Sequence, residues 1–264
     1  LTGNGQPPRG VRRLARRLRA LQIKRFADYI DRVEGDDEEE RQIFVNALTT
    51  NLTAFFREPH HFTILADYLR YKAIKPPIAI WCAACSTGEE PYSIAMTLAE
   101  TYGYDAGVKV IATDIDTEAL QSAASGVFAM ERLEPMQSFT VKQFFLKGTG
   151  KNAGFARVRP ELRKMVHFQR LNLRARQWDI DERLLAIFCR NVMIYFDKPS
   201  QHQILQRFAP LLRPEGLLFV GHSENLFHAN DLFRMREKTV YQLASQPDYM
   251  PGKPLPAARP AEAK

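Results

Sequence analysis

The sequence predicts an α/β protein with a doubly wound, mostly parallel sheet, a small N-terminal all-helical domain and an inserted β-subdomain. Three observations support this fold class. Short apolar segments alternate with helical ones after residue 74, which is typical of a parallel sheet covered by helices on both faces. Residues before 74 show only helical periodicity. Residues 130–170 interrupt the alternation with turn-rich sequence, and we interpret them as the insertion.

The N-terminal part predicts three helical segments. The first follows a loose start over residues 1–10 and covers residues 11–33, with leucines on one side and arginines on the other. The second opens on the acidic run 36–40, because negative charge favours the positive end of a helix dipole, and extends to about Leu52. The third covers residues 60–72. We expect residues 1–73 to form the helical domain and its linker.

The alternation after residue 74 predicts a single domain over residues 74–245. The strands are expected at 78–81, 108–112, 184–189, 217–221 and, at an edge of the sheet, 240–243. The helices between them are expected from about Pro91, over 117–125 and over 201–212. Residues 246–264 are rich in proline and alanine, and this composition predicts a disordered tail or a linker.

Composition narrows the class of protein. With 264 residues, of which 45% are hydrophobic, the chain can bury a sizeable core. No stretch approaches the ~20 consecutive apolar residues of a membrane span, and the N-terminus lacks a signal-peptide core. Three cysteines are too few for a disulfide framework. We therefore expect a soluble, cytoplasmic protein without membrane insertion, whose net charge of +7 suits an acidic protein surface or nucleic acid.

The turn after the first predicted strand has the features of a ligand site. Ligands of open α/β sheets bind beyond the carboxyl ends of the strands. Residues 82–91 are mostly small there, and Gly88 can adopt a positive φ. Asp114 ends the second strand, where a carboxylate could accept hydrogen bonds from ribose hydroxyls. The turn lacks the spaced glycines of dinucleotide-binding proteins, so a nucleoside cofactor is favoured; the alternative for an acid here is a helix cap, a role that Asp116 could fill.

Other candidate sites are weaker. Cys82 and Cys85 form a C-x-x-C pair, but the surrounding pattern is not thioredoxin-like, and cysteine also serves as a small apolar residue. No His-x₃₋₅-His pair accompanies the cysteines, so no metal site is expected. His60, His61 and His222 have no evident partner and are interpreted as structural.

Five blocks of sequence resemble the CheR family of chemotaxis receptor methyltransferases. They are 51–58 (NLTAFFRE), 86–93 (STGEEPYS), 112–117 (ATDIDT), 189–197 (CRNVMIYFD) and 221–225 (GHSEN), within about 46–243. The resemblance implies the class I S-adenosylmethionine-dependent methyltransferase fold. It also implies a protein-glutamate O-methyltransferase that esterifies receptor glutamates with S-adenosylmethionine and releases S-adenosylhomocysteine.

The resemblance further implies the residues of the site. Cofactor contacts are expected at Asn51, Thr53, Arg57, Glu89, Asp114, Asn172, Leu173, Cys189, Arg190 and Asn191. The candidate catalytic residues are Arg57, which would hold charge near the transfer point, and Tyr195, which would place a hydroxyl or ring face beside the sulfonium. No general base is expected, because a glutamate with a pKa of ~4.3 is already ionised at neutral pH. Simpler roles are turn caps for Asn51 and Thr53, and an ion pair for Arg57.

Two surfaces are expected to bind the receptor's cytoplasmic domain. Three arginines of the first helix could dock on acidic receptor helices, although a solvated helix face is the simpler interpretation. These arginines are Arg12, Arg16 and Arg19. A second set in the insertion matches the branch of the family that binds a receptor's C-terminal peptide by strand addition, although a glycine-rich hairpin is the simpler interpretation; it comprises Gly148, Gly150, Gly154 and Arg157.

Two other functions share some of these features. A nucleic-acid methyltransferase would suit the positive charge, but no aromatic side chains interleave with the arginines to stack bases, so no nucleic acid is expected. A non-catalytic adaptor would keep the fold and the peptide surface. The intact cofactor blocks, with Arg57, Glu89 and Asp114, argue against it.

Overall fold

The computed structural model describes residues 9–246. The expectations for residues 1–8 and for the tail from residue 247 onward lie outside this range. The helices are α1 (Arg9–Ala20), α2 (Phe26–Glu34), α3 (Glu38–Leu48), α4 (His60–Tyr71), α5 (Glu89–Tyr102), α6 (Thr117–Ser125), α7 (Ser138–Phe144), α8 (Pro160–Arg163) and α9 (Lys198–Phe208). The strands are β1 (Ile78–Cys82), β2 (Val108–Asp114), β3 (Val127–Ala129), β4 (Phe145–Lys147), β5 (Phe155–Val158), β6 (Val166–Arg170), β7 (Leu184–Phe188), β8 (Leu212–Phe219), β9 (Phe233–Glu237) and β10 (Val240–Leu243).

The large sheet has seven strands in the order β6-β2-β1-β7-β8-β10-β9. The first five are parallel to one another, and β10 pairs in antiparallel fashion with β8 on one side and with β9 on the other. Every residue of β1 and β7 is buried, as expected for central strands covered on both faces. One core cluster packs α4 and α5 against one face, and a second packs α9 against the other. The predicted doubly wound, mostly parallel α/β fold is confirmed.

The two edges of this sheet differ from the prediction. The strand 240–243 has the predicted bounds but is internal, since β9 pairs with its outer side. Residues 166–170, which the sequence assigned to the insertion, form the opposite edge strand and pair with β2 in parallel. Both differences have the same origin, because the position of a strand is decided by its pairing and not by its own composition. The inserted sheet itself is antiparallel, in the order β3-β5-β4.

The N-terminal helices form a separate small core. The predicted continuous helix over 11–33 is wrong, because α1 and α2 are separated by Gln22, whose φ is 58°. This break lets α2 fold back, so that Tyr29 and Val33 pack with Leu14 and Ala47. α3 ends at Leu48 and not at Leu52. The chain then runs without regular structure to the start of α4.

A buried carboxylate holds the three N-terminal helices together. Glu40 of α3 is 1% exposed and accepts hydrogen bonds from Arg17 of α1 (2.5 Å) and from the hydroxyl of Tyr29 of α2 (2.7 Å). The hydrogen bond from Arg17 is the main reason that the pKa of Glu40 is lowered. Arg17 therefore faces inward, whereas the neighbouring Arg16 is exposed.

A histidine is fully buried under the C-terminal strands. The Nε2 of His61 lies 3.0 Å from the hydroxyl of Thr239, and its ring packs edge-on against Phe219. Burial, together with electrostatic repulsion from the neighbouring Arg190 and His60, lowers the pKa of His61 from 6.5 to about 3. His61 is thus neutral in the folded protein over most of the pH range in which an unfolded histidine would be charged. Across residues 9–246, no helix combines the length and apolarity of a membrane span.

We predict that Arg17→Ala lowers the free energy of unfolding of the helical domain by about 2 kcal/mol, because it leaves Glu40 buried without its cation; the partial exposure of Arg17 keeps the loss below that of a fully buried pair. Hydrogen exchange of the α2 amides measures the effect. Arg16→Ala is the matched control and should change the same protection by less than about 0.5 kcal/mol. Equal effects of the two variants would contradict the role given to the Arg17–Glu40 pair.

We also predict that stability falls as the pH is lowered from about 6.5 toward 3, because the unfolded chain gains a proton at His61 that the folded chain does not. His61→Gln keeps a polar contact with Thr239 but cannot titrate. The free energy of unfolding is measured with urea at several pH values. Its dependence on pH should be shallower for His61→Gln than for the wild-type protein, by up to about 1.4 kcal/mol per pH unit. Identical slopes for the two proteins would show that His61 does not contribute.

Candidate cofactor site

A cavity of about 470 Å³ opens at the carboxyl ends of the parallel strands. It lies where β1 has neighbours on both sides, β2 and β7, which is the point at which strand order reverses. The residues after β1, β2, β6 and β7 line it, and the segment between α3 and α4 covers it from the side of the helical domain. The position of the cavity follows from the topology of the sheet.

Asp114, the last residue of β2, provides a carboxylate in this cavity. One oxygen accepts the backbone N–H of Ser86 (2.7 Å) and the other that of Asp116 (2.9 Å). Burial raises the pKa of the Asp114 carboxyl, against the effect of these hydrogen bonds. Each oxygen keeps a lone pair for another donor, so the group is suited to accept two hydroxyls. Asp116 caps α6 through the N–H of Ala119, as the alternative interpretation of the sequence expected.

The turn from β1 to α5 requires glycine at position 88. Gly88 has a φ of +101°, and a Cβ there would lie 2.9 Å from the Cβ of Ala123. The turn can therefore pack against α6, which brings Ala83, Ala84 and Ser86 into the cavity wall. Small side chains on this wall leave room for a ligand.

The segment between the helical domain and α4 contributes Asn51, Thr53 and Arg57 to the cavity. The amide of Asn51 donates to Asp116 (2.8 Å) and accepts from the hydroxyl of Ser86 (3.2 Å), so it joins this segment to the sheet. The guanidinium of Arg57 donates to the carbonyl of Leu52 (2.8 Å) within the segment.

Arg190, which follows β7, connects this segment to α5. Its buried guanidinium donates to Glu90 (2.5 Å) and to the carbonyl oxygen of Arg57 (2.6 Å), and it lies 3.3 Å from the carboxylate of Glu58. Burial disfavours the ionised form of Glu58, but hydrogen bonds from His222 and the charge of Arg190 outweigh burial and lower the pKa to about 2. Glu58 and Arg190 therefore form an ion pair at neutral pH.

The loop after β7 is shaped by Glu224. Its carboxylate accepts the backbone N–H groups of Asn191, Val192 and Met193 at 2.8–3.0 Å, and that of Gly221 at 2.6 Å. Four such donors hold the loop in one conformation. The loop in turn places Asn191 in the cavity and Tyr195, which is 65% exposed, at its margin.

Most of the predicted site residues come together in this cavity. Those that line it are Asn51, Thr53, Arg57, Asp114, Asn172, Leu173, Arg190, Asn191 and Tyr195. Glu89 does not line it; its carboxylate is buried, pairs with Arg132 and accepts the hydroxyl of Thr87. Cys189 does not line it either, and its buried backbone N–H donates to Phe219.

Ser86 and Glu90 lie in the turn 82–91 that the sequence predicted as a ligand site, but of this turn only Glu89 was named as a cofactor contact. Glu90 is adjacent to the predicted Glu89 at the start of α5, and the motif alone does not indicate which of two neighbouring acids faces the ligand. The rotation of α5 about its axis decides it. Apolar residues of the cavity, such as Ile115 and Leu171, gave no signal in the sequence because they resemble ordinary core positions.

The weaker candidates have structural roles. Cys82, Cys85 and Cys189 are free, fully buried thiols, and burial raises their pKa well above the usual value, so none is a reactive thiolate. Glu58, His60 and His61 offer possible metal-binding atoms within 4.8 Å of one another. Arg190 already neutralises Glu58 there, and we assign the group no metal.

The two predicted receptor-binding sets lie outside the cavity. Arg12, Arg16 and Arg19 are exposed on α1. In the inserted sheet, a Cβ on Gly148 would overlap the carbonyl oxygen of Asn152, and Gly150 and Gly154 have positive φ, so the hairpin alone accounts for these glycines. Arg157 lies on the central strand β5, exposed, with Val127 and Leu146 opposite it on β3 and β4.

The residues of the cavity suit S-adenosylmethionine. Asp114 offers acceptors for two ribose hydroxyls, while Ile115, Leu171 and Leu173 provide apolar surface for an adenine ring. Arg57, Glu90 and Arg190 supply charges of both signs, which matches a ligand that carries an ammonium and a carboxylate.

Comparison with known proteins agrees with this site. The model of the CheR methyltransferase all-alpha domain matches residues 11–49, and that of the CheR methyltransferase SAM binding domain matches residues 51–242. Chemotaxis protein methyltransferase 2 of Pseudomonas aeruginosa is 56% identical over 234 residues, which are 88% of this chain and 83% of that protein. The chemotaxis protein methyltransferase of Escherichia coli is 51% identical over 234 residues, 88% of this chain and 81% of that protein.

Among solved structures, magnesium protoporphyrin IX methyltransferase from Synechocystis with bound S-adenosylhomocysteine covers 73% of this chain and 64% of its own, at 14% identity and a TM-score of 0.35. The two family models confirm the family, the methyltransferase fold and the S-adenosylmethionine cofactor that the sequence motifs predicted. The chain belongs to the CheR methyltransferase family.

Proposed function

We propose that this protein esterifies glutamate side chains on the cytoplasmic domain of chemotaxis receptors, with S-adenosylmethionine as methyl donor. The observation that carries the proposal is the cavity at the ends of β1, β2 and β7, where Asp114 faces a space that is also lined by Arg57 and Tyr195. The family supplies the reaction class, since the similar proteins of Pseudomonas aeruginosa and Escherichia coli bear the name chemotaxis protein methyltransferase.

The chemistry requires orientation more than acid–base catalysis. The bound cofactor supplies a methyl group on a positively charged sulfur. A glutamate nucleophile is ionised at neutral pH, so the protein has to align the carboxylate and exclude water. Arg57 provides a cation in the cavity that can hold the incoming carboxylate, and its position is set by the hydrogen bond from Arg190 to its carbonyl.

Tyr195 is proposed to form the margin through which substrate enters. Its side chain lines the cavity and is 65% exposed, and the exposed Leu48 and Leu52 line the same cavity. An aromatic face near a sulfonium is favourable for the same electrostatic reason as other cation–π contacts. The apolar side chains beside it would cover the surroundings of a target glutamate and reduce its access to water.

The receptor surface is proposed to extend onto α1. Arg12, Arg16 and Arg19 are exposed on α1. Arg13 is exposed as well and donates to the carbonyl of Asn46, and Arg17 pairs with the buried Glu40. The exposed arginines suit an acidic receptor helix. In the inserted sheet, an extended peptide could pair with an outer edge of β3 or β4, with Arg157 available to an acidic side chain or terminal carboxylate.

The proposal predicts that label from methyl-tritiated S-adenosylmethionine is transferred to purified receptor cytoplasmic fragments and leaves as methanol in mild alkali. Fragments whose target glutamates are replaced by glutamine, and which therefore lack the nucleophile, should take up no label. Alkali-stable label, or label on nucleic acid, would overturn the assignment of substrate. Cofactor binding without transfer would instead favour the adaptor.

The same assay tests the peptide surface. Removal of the receptor's C-terminal tail should slow transfer by the wild-type enzyme, and Arg157→Ala should reduce the rate only on fragments that keep the tail. Equal rates on both fragments would show that the inserted sheet does not tether this receptor.

We predict that Arg57→Ala and Tyr195→Ala each lower kcat while the protein stays folded, because both side chains line the cavity without contributing to the core. A loss of about 100-fold in kcat is expected for Arg57→Ala, comparable with removal of one preorganised electrostatic contact. The melting temperature and the affinity for S-adenosylhomocysteine show whether the fold and the cofactor site are intact. Arg70→Ala, on the exposed side of α4, is the matched control, and full activity of Arg57→Ala would contradict the proposed role.

A further inference from the structure

A second pocket, of about 360 Å³, lies between the loop after β6 and the outer face of α9. Three arginines line it: Arg174 and Arg176 from the loop, and Arg207 from α9. Its remaining lining is neutral, with the amides of Gln203 and Gln206, the hydroxyl of Ser200 and the apolar side chains of Leu173, Ala175 and Ile204. Among the described residues, those that line this pocket include no carboxylate.

Two of the guanidinium groups are held in place. The Arg207 guanidinium lies 3.6 Å from the centre of the Trp178 ring and donates to the carbonyl of Ala175 at 2.5 Å. The Arg174 guanidinium donates to the hydroxyl of Ser200 at 2.8 Å. All three contacts are to neutral groups, so they order the two side chains without neutralising their charges. Ordered guanidinium groups lose less entropy when they bind an anion.

The charge in this pocket is poorly compensated. Burial lowers the pKa of Arg207, as happens when a cation leaves water without a nearby carboxylate. Asp197 acts on Arg174 from the start of α9, but its carboxylate is exposed and accepts the backbone N–H of Ser200. Like charges that share a small space repel one another, and an anion bearing more than one negative charge would relieve the repulsion.

We propose that this pocket binds a small molecule that carries phosphate or diphosphate. Planar guanidinium groups match phosphate oxygens by paired hydrogen bonds, and the two glutamine amides, one helical turn apart on α9, provide further donors beside them. This site is distinct from the cofactor cavity, although Leu173 and Arg174 line both. The inference does not depend on the methylation proposal, because it is tested by the binding of an anion and not by methyl transfer.

The test titrates sodium pyrophosphate into the full chain by calorimetry, with S-adenosylhomocysteine at saturation so that the cofactor cavity is filled. We expect a single site with a Kd below about 1 mM at low salt. Arg176→Gln, which changes an exposed side chain, and Arg207→Gln should each weaken binding about tenfold. Arg70→Gln removes the same charge from α4 and should leave the Kd unchanged.

Circular dichroism and the affinity for S-adenosylhomocysteine show whether each variant is folded. If Arg207→Gln unfolds because it no longer stacks on Trp178, Arg176→Gln still tests the proposal. The proposal is overturned if the wild-type chain does not bind pyrophosphate when its concentration is raised to about 5 mM, which is five times the upper limit expected for the Kd. Equal weakening by Arg70→Gln would also overturn it, since it would show diffuse attraction to a positively charged protein.

Discussion

The buried guanidinium of Arg190 is the interaction on which the geometry of the cofactor cavity depends. It follows β7 and binds Glu90 of α5 and the backbone of Arg57, and it lies beside Glu58. A buried charge is costly unless it is paired, and the two carboxylates supply the pairing. Three stretches of chain that are distant in sequence therefore meet at one cation. The position of the segment that carries Arg57 is set by the sheet beneath it.

Some of the strained backbone of the described residues lies in segments that line the same cavity. Phe56, Ser86 and Asn191 all have positive φ although none is glycine. In each case the residue's own N–H is held by a side chain: that of Ser93 for Phe56, that of Asp114 for Ser86, and that of Glu224 for Asn191. Such conformations cost of order 1–3 kcal/mol each and persist where surrounding contacts determine them. Asp114 thus shapes the wall of the cavity as well as offering acceptors within it.

The sequence predicted well whatever is decided locally. Helix α6 has the predicted bounds, because Asp116 caps its start and Gly126, in a left-handed conformation, ends it. The acid at the end of β2 and the small-residue turn after β1 also reached the cavity as expected. These features depend on side chains only a few residues apart.

What the sequence could not predict depends on distant contacts. The break at Gln22 brings α2 back onto α3, and the sequence around position 22 contains no residue that predicts a turn. The edge positions of β6 and β9 follow from pairing with strands far along the chain. The choice between Glu89 and Glu90 depends on the rotation of α5, which is set by packing against the sheet and by the pairing of Glu90 with Arg190.

The arginines show how far charge can be interpreted without coordinates. In α1, consecutive arginines look equivalent in the sequence, yet Arg17 binds the buried Glu40 while Arg16 faces solvent. Near α9, Arg207 stacks on Trp178 and faces a pocket whose described lining has no carboxylate. A net charge of +7 therefore does not describe one surface. These arginines include structural cations, an exposed set on α1 and a cluster beside the cofactor cavity. Each of these groups is suited to a different anionic partner.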